Sequence, residues 1–135
     1  MELSAATTAT AGVLLISIAA VEYGGLFLLS THGGKRELTD FQNAFFRAGH
    51  AHAGVLVILS LVALIYADTL ELTGFGRWAG RSAIPLAAIL IPAGFFLSAI
   101  GRDRTRPNGF KIVIYLGAAS LGIGVVTLGV SLLEV

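Results

Sequence analysis

The chain has 135 residues, 56% of them hydrophobic and 13% charged, with no cysteine, one methionine and a net charge of +1. That length holds one domain, and the charged share is about half of the roughly 25% usual in soluble domains. A net charge near zero implies no general attraction to nucleic acid, and the lack of cysteine excludes disulfides, thiolate metal sites and a cysteine nucleophile.

The opening "MELSAATTATAG" has no basic region ahead of its apolar stretch, so the first hydrophobic block is expected to remain in the mature protein rather than leave as a signal peptide. Four blocks, about 11–30, 44–67, 82–100 and 112–133, are each long enough to cross a hydrocarbon core about 30 Å thick. The connections "THGGKRELTDFQN", "DTLELTGFGRWAG" and "GRDRTRPNGF" hold nearly all the charge and many turn-forming residues. Short connections make neighbours antiparallel. The expected fold is therefore an all-α integral membrane protein, one domain over 1–135, built as an antiparallel four-transmembrane-helix bundle in a lipid bilayer.

Block one contains Glu22, about eight residues from its end and so roughly 12 Å below the first loop. A carboxylate at that depth costs several kcal/mol unless it is paired, protonated or facing a polar cavity, and intramembrane ionisable groups mark functional sites. Tyr23 and Tyr115 fall near the same level and can line a cavity there. His32 reads as a solvated loop residue.

Block two opens "FFRAGHAHAG", with Arg47, His50 and His52 in its first turns. From the same loop, the histidines lie roughly 9 and 12 Å deep, level with Glu22 across an antiparallel pair. Successive helical residues turn by about 100°, so His50 and His52 point about 160° apart and cannot chelate one ion from the same helix. They must face different neighbours. Arg47 and His50 share one face. His52 shares the other with Phe45, Ala48, Val55, Leu56 and Leu59, an apolar wall holding one nitrogen ligand, and Gly49 and Gly54 leave room for a flat, bulky group against the helix. A single histidine on such a wall suits an axial ligand of haem iron, with Arg47, Arg102 and Arg104 as partners for the propionates.

Pro85 and Pro92 sit inside block three, which membrane helices tolerate. The connection before it holds Asp68 and Glu71, which read as solvated, and is flanked by Tyr66 and Trp78 as interface anchors. Block four has small residues four apart at Ala118/Gly122 and Ser120/Gly124, a pattern that lets helices approach closely. The first and third loops, with their helix ends, hold Lys35, Arg36, Arg47, Arg102, Arg104, Arg106 and Lys111, against Arg77 and Arg81 on the other side. That bias places loops one and three in the cytoplasm and both termini outside.

These residues resemble a known family. "FFRAGHAHAGVLVIL" looks like the second helix of the styrene oxide isomerases, which begins with an aromatic residue, an arginine and a histidine before a small residue, a glycine and an apolar run. "AGVLLISIAAVEYGGLFLLSTHGG" is similar to the family's first helix. "GRWAGRSAIPLAAILIPAGFFLS" followed by "RPNGF" is similar to its third helix and the loop beyond. The likeness runs along most of the chain, and the histidine motif is its specific part.

The resemblance implies a bacterial-type inner-membrane protein that binds haem b and isomerises epoxides to aldehydes or ketones, working as a homo-oligomer, a trimer in that family. Carried over by position, the haem-ligating histidine falls on His52, before Ala53-Gly54. His50 is the alternative, in a register that keeps Arg47. Glu22, Tyr23 and Tyr115 are then the candidates for the catalytic surroundings, and a small apolar epoxide is the candidate substrate. Two family residues are replaced. A polar asparagine two turns after the histidine becomes Ile58, or Leu56 in the other register, and a tyrosine of helix three falls within Gly94-Phe95-Phe96. Two readings stand beside this one: a proton or small-solute conduit using Glu22, His50 and Arg47 as a relay, and a non-catalytic subunit of a larger membrane complex.

Overall fold

The computed structural model describes residues 2–32 and 37–134, residue 32 by its backbone alone, and is all-helical among them. The elements are α1 (Ala5–His32), α2 (Asp40–Thr69), α3 (Gly74–Trp78), a π turn (Ala79–Ala83), α4 (Ile84–Ala99) and α5 (Lys111–Leu133). α3, the π turn and α4 run on as one crossing, and four helices are long and apolar enough to span a membrane. Lys35, Arg36 and the His32 side chain lie outside the described residues, although α1 itself reaches His32.

The helices start earlier than the hydrophobic blocks do, because polar residues are used as caps. Ser4 Oγ accepts the Thr7 N–H at 3.2 Å, the N-cap arrangement that satisfies a free amide of the first turn. The Thr8 and Thr10 hydroxyls donate back to the Ser4 and Ala6 carbonyls at 3.0 and 2.9 Å. Before α2, Thr39 and Gln42 form a capping box, with side-chain to backbone bonds of 3.2 and 3.3 Å in the two directions. Hydropathy alone cannot see such turns.

The third crossing begins at Gly74, within the expected second connection. Its π turn lies directly before Pro85, which has no amide hydrogen to continue a regular ladder. The Ser120 hydroxyl of α5 donates to the Ala83 carbonyl at 2.8 Å.

α2 and α4 form the centre of the packing. α1 packs chiefly on α2, α2 on α4, and α4 with the π turn on α5, so α1 and α5 are the outer helices. Leu56, Ala87, Ala88 and Ile91 form the α2–α4 core, and Leu14, Val57 and Leu64 join α1 to α2. α4 and α5 meet through glycine. A β-carbon on Gly117 would lie 2.6 Å from Ile91 Cγ1, and one on Gly124 would lie 2.6 Å from Ile84 Cγ1. Of the two small pairs expected in the last helix, Ser120/Gly124 makes this contact. Ala118/Gly122 lies on the exposed side, where Gly122 has nothing within 4 Å of a β-carbon.

Polar clamps close both ends. At one end Gln42 is buried, and its Nε2 donates to the Ala99 and Gly101 carbonyls at 3.0 and 2.8 Å. The Thr39 hydroxyl reaches the Arg104 carbonyl, and Asn108 Nδ2 donates to Leu97 at 2.9 Å. At the other end the expectation of a solvated Asp68 is corrected. Its side chain is 2% exposed and pairs with Arg81 at 2.7 Å. It also accepts the Ser4 amide at 2.7 Å and the Ser4 hydroxyl at 3.1 Å. The carboxylate is buried because it fastens the start of α1 to the end of α2 and to the π turn.

Removing one member of a buried pair strands the other, which costs about 3–5 kcal/mol. Arg81 keeps 26% exposure, so Asp68→Ala is expected at the low end, about 3 kcal/mol. Unfolding in mixed micelles measures it, and amide exchange should rise first in the opening turn of α1. An unchanged midpoint with unchanged exchange would refute the clamp.

Candidate functional site

His50 and His52 leave α2 on opposite flanks, as their spacing requires. With α2 starting at Asp40, His50 lies ten residues in, about 15 Å along the axis. It faces α1 at the Gly24-Gly25 pair. A β-carbon on Gly24 would sit 3.5 Å from His50 Nδ1, and one on Gly25 would sit 3.2 Å from Cε1. Two glycines in succession thus let an imidazole lie against the backbone of the neighbouring helix.

His50 lines two cavities. One, of about 430 Å³, is bounded by Gly25, Leu28, Leu29, Arg47 and His50. The other, of about 260 Å³, lies between α1, α2 and α4, with Gly24, Ala53, Pro92 and Phe96 among its walls. His50 makes no hydrogen bond or ion pair among the described residues.

His52 faces the other way. Its Nδ1 lies 2.7 Å from the Ala48 carbonyl one turn earlier. A carbonyl only accepts, so Nδ1 carries a proton, and in the neutral ring the lone pair is then on Nε2. The ring rests on Phe95 of α4, with centroids 5.1 Å apart and planes 30° apart. Phe95 in turn meets Phe45 at 5.3 Å, and Phe45 meets Phe41 at 4.3 Å. Beyond this frame α2 presents Val55, Ile58, Leu59 and Val62, all exposed. The result is a flat apolar face with one basic nitrogen, fixed in tautomer and in orientation.

Two members of the expected wall are corrected. Leu56 is 4% exposed and belongs to the α2–α4 core, not to the His52 face. Gly49 leaves no room for a ligand, because a β-carbon there would lie 3.0 Å from Phe96 and 3.1 Å from Phe95. Gly54 has nothing within 4 Å. In the sequence Phe95 stands only within Gly94-Phe95-Phe96, the stretch where the resembling family has a tyrosine. Its place beside His52 could not be read from one helix.

The remaining candidates are scattered in a single chain. Glu22 is level with His50 but exposed, on the α1 stripe of Gly25 and Leu29, and makes no bond among the described residues. Tyr23 is 75% exposed, and its side of α1 faces away from α2. Tyr115 is 63% exposed, opposite the α5 side that carries Gly117 and Gly124 to α4. None of the three is brought to His52. Arg47 is exposed and unpaired among the described residues, five positions before His52 and so about 7.5 Å nearer the loop-one end. Arg104 Nε donates to the Ile100 carbonyl at 2.9 Å, and Arg102 pairs with Asp103 at 3.6 Å in full exposure.

Compared with family models, curated proteins and solved structures, the chain matches none.

The two glycines of α2 give a contrasting pair. Gly49→Val should cost about 1–3 kcal/mol by forcing α2 away from Phe95 and Phe96. Gly54→Val should be within about 0.5 kcal/mol of the parent, as for a substitution that meets nothing. Thermal unfolding in one detergent compares them, and equal effects would contradict the close α2–α4 contact.

Proposed function

We propose that the chain is a membrane haem b protein in which His52 supplies the axial ligand through Nε2. One observation carries the reading: the Nδ1 bond to the Ala48 carbonyl, which orients the ring and turns Nε2 toward an open apolar face. A ligating histidine is typically held by a bond from its other nitrogen to a carbonyl or carboxylate, and here the carbonyl takes the place expected for Glu22.

The donor set fits a porphyrin better than a bare ion. Among the described residues no group of three or more His, Asp or Glu can hold a metal, so the metal must arrive with ligands of its own. Val55, Ile58 and Leu59 offer apolar contact to a macrocycle, with Phe95 buttressing the ligand ring. Arg47 is the propionate candidate with an unpaired guanidinium among the described residues, although it sits on the His50 flank of α2 and lines the cavity there. Of the three arginines in view it alone lies on the ligand's helix, whereas Arg102 and Arg104 already have partners. One chain covers only one face of such a group, so a second copy supplies the other. That accounts for the exposed apolar side of α2, and it leaves Glu22, Tyr23 and Tyr115 free to act across a subunit boundary.

When bound, a ferric haem supplies a Lewis acid able to polarise an epoxide oxygen. The chain's own part is to orient the ligand and to keep water out. Within one chain, Phe45, Phe95 and Leu59 around His52 carry no proton donor or base. Such a site favours a reaction with no net proton transfer, and epoxide-to-carbonyl isomerisation, in which a hydride or alkyl group migrates within the substrate, is one. The replacement of the resembling family's asparagine by Ile58 or Leu56, and of its tyrosine within Gly94-Phe95-Phe96, leaves haem binding intact and bears on the epoxide chemistry alone. We further place the protein in a bacterial-type inner membrane with loops one and three cytoplasmic, on the bias of Arg102, Arg104, Arg106 and Lys111 over Arg77 and Arg81.

A relay reading has less support. Arg47 and His50 line one cavity, but Glu22 is not in its wall and bonds to neither among the described residues.

Adding ferric haem to detergent-purified protein tests the assignment. A Soret band should develop with the parent and with His50→Ala, and be lost with His52→Ala. No band in the parent, or loss in His50→Ala alone, would overturn it.

A further inference from the structure

The cavity between α1, α2 and α4 lies on the opposite flank of α2 from His52 and plays no part in haem binding. Its volume is about 260 Å³, just below the roughly 300 Å³ at which ligand pockets begin. α1 and α4 are only weakly packed on each other. Exposed Ile89 and Ala20 stand at the rim, so the cavity opens between those helices toward the lipid.

Its wall is apolar apart from three groups. Ser17 already donates its hydroxyl to the Leu14 carbonyl at 2.6 Å. His50 has no partner among the described residues. Pro92 has no amide, so the Ala88 carbonyl one turn earlier lacks its helical donor, and Ala88 and Pro92 both line the cavity. In a bilayer unsatisfied groups of this kind are costly, because no water is at hand to bond them.

We infer that this cavity binds a small, apolar, hydroxyl-bearing molecule, a phenol or an alcohol, whose O–H donates to the Ala88 carbonyl while its oxygen accepts from the His50 ring N–H. The two protein groups decide the class. A bare carbonyl only accepts, so it repels a carboxylate and gives nothing to an ether. Neutral imidazole can accept the hydroxyl proton at one nitrogen or give its own to the oxygen. Gly24 and Gly25 keep the imidazole at the seam, and Ala53 leaves the space beside it open. The molecule enters sideways from the lipid, between α1 and α4.

The probes are 4-(trifluoromethyl)phenol and its methyl ether, followed by fluorine NMR with the full chain in detergent. The phenol should show a saturable component of one site per chain, and the ether, which cannot donate to the carbonyl, should bind at least roughly tenfold more weakly. His50→Leu should weaken the phenol by roughly tenfold, the value of a lost hydrogen bond in an apolar site. Ala53→Phe, which fills the cavity while keeping His50, should abolish the saturable component, and His52→Ala should leave it unchanged. His50→Gln retains hydrogen bonding and should lose less than His50→Leu, which separates a lost contact from a failed fold. Equal binding of phenol and ether, or undiminished binding in Ala53→Phe, would overturn the proposal. So would a His52→Ala effect as large as that of His50→Leu, and this last outcome would leave the haem assignment standing.

Discussion

Two histidines two residues apart on one helix cannot look the same way, and α2 is the helix on which both α1 and α4 pack. α1 takes one flank of it and α4 the adjacent one. His50 therefore meets the Gly24-Gly25 backbone, while His52 emerges on the far side beside Phe95. The difference in their surroundings follows. The His52 ring has one nitrogen bonded within its own helix and one free. The His50 ring is held by packing alone, with cavities on both sides of it. One spacing in the sequence thus creates two chemically distinct positions at nearly the same depth.

The membrane setting explains why so little polar chemistry lies between the ends. Backbone groups in hydrocarbon must be satisfied internally, and here the capping and clamping side chains gather at the two rims. Gln42, Thr39 and Asn108 tie the loop-one and loop-three ends together. Asp68, Arg81 and Ser4 tie the other end. Between the rims the contacts are apolar and close, set by Gly49 against Phe95 and Phe96 and by Gly117 and Gly124 against α4. A rigid α2–α4 contact of this kind is what keeps the His52 ring at a fixed angle.

The four crossings and their order were legible because hydropathy reports span length directly. The divergence of the two histidines was legible because helical geometry depends only on spacing. What pairs across helices was not. Asp68 reads as loop charge until α1 is seen to start at Ala5 and bring Ser4 against it. Phe95 reads as core until α4 is laid on α2. The depth of Glu22 can be read from its place in the span, but depth does not fix direction. Its stripe on α1 is that of Gly25 and Leu29, and it leaves the carboxylate exposed. The π turn has a local cause in Pro85, yet proline alone does not say on which side the helix will widen.

The central claim is that His52 offers a bare Nε2 on the open face of α2 and His50 does not serve as the ligand. It is tested most directly by nitrogen NMR of [15N]histidine-labelled protein in detergent, above the histidine titration range, before and after adding zinc protoporphyrin as a diamagnetic acceptor of one axial ligand. The account predicts an Nδ1-protonated His52 at the start, and a shift of its Nε2 alone on addition. A His52 protonated at Nε2, or a shift that falls on His50, would contradict it.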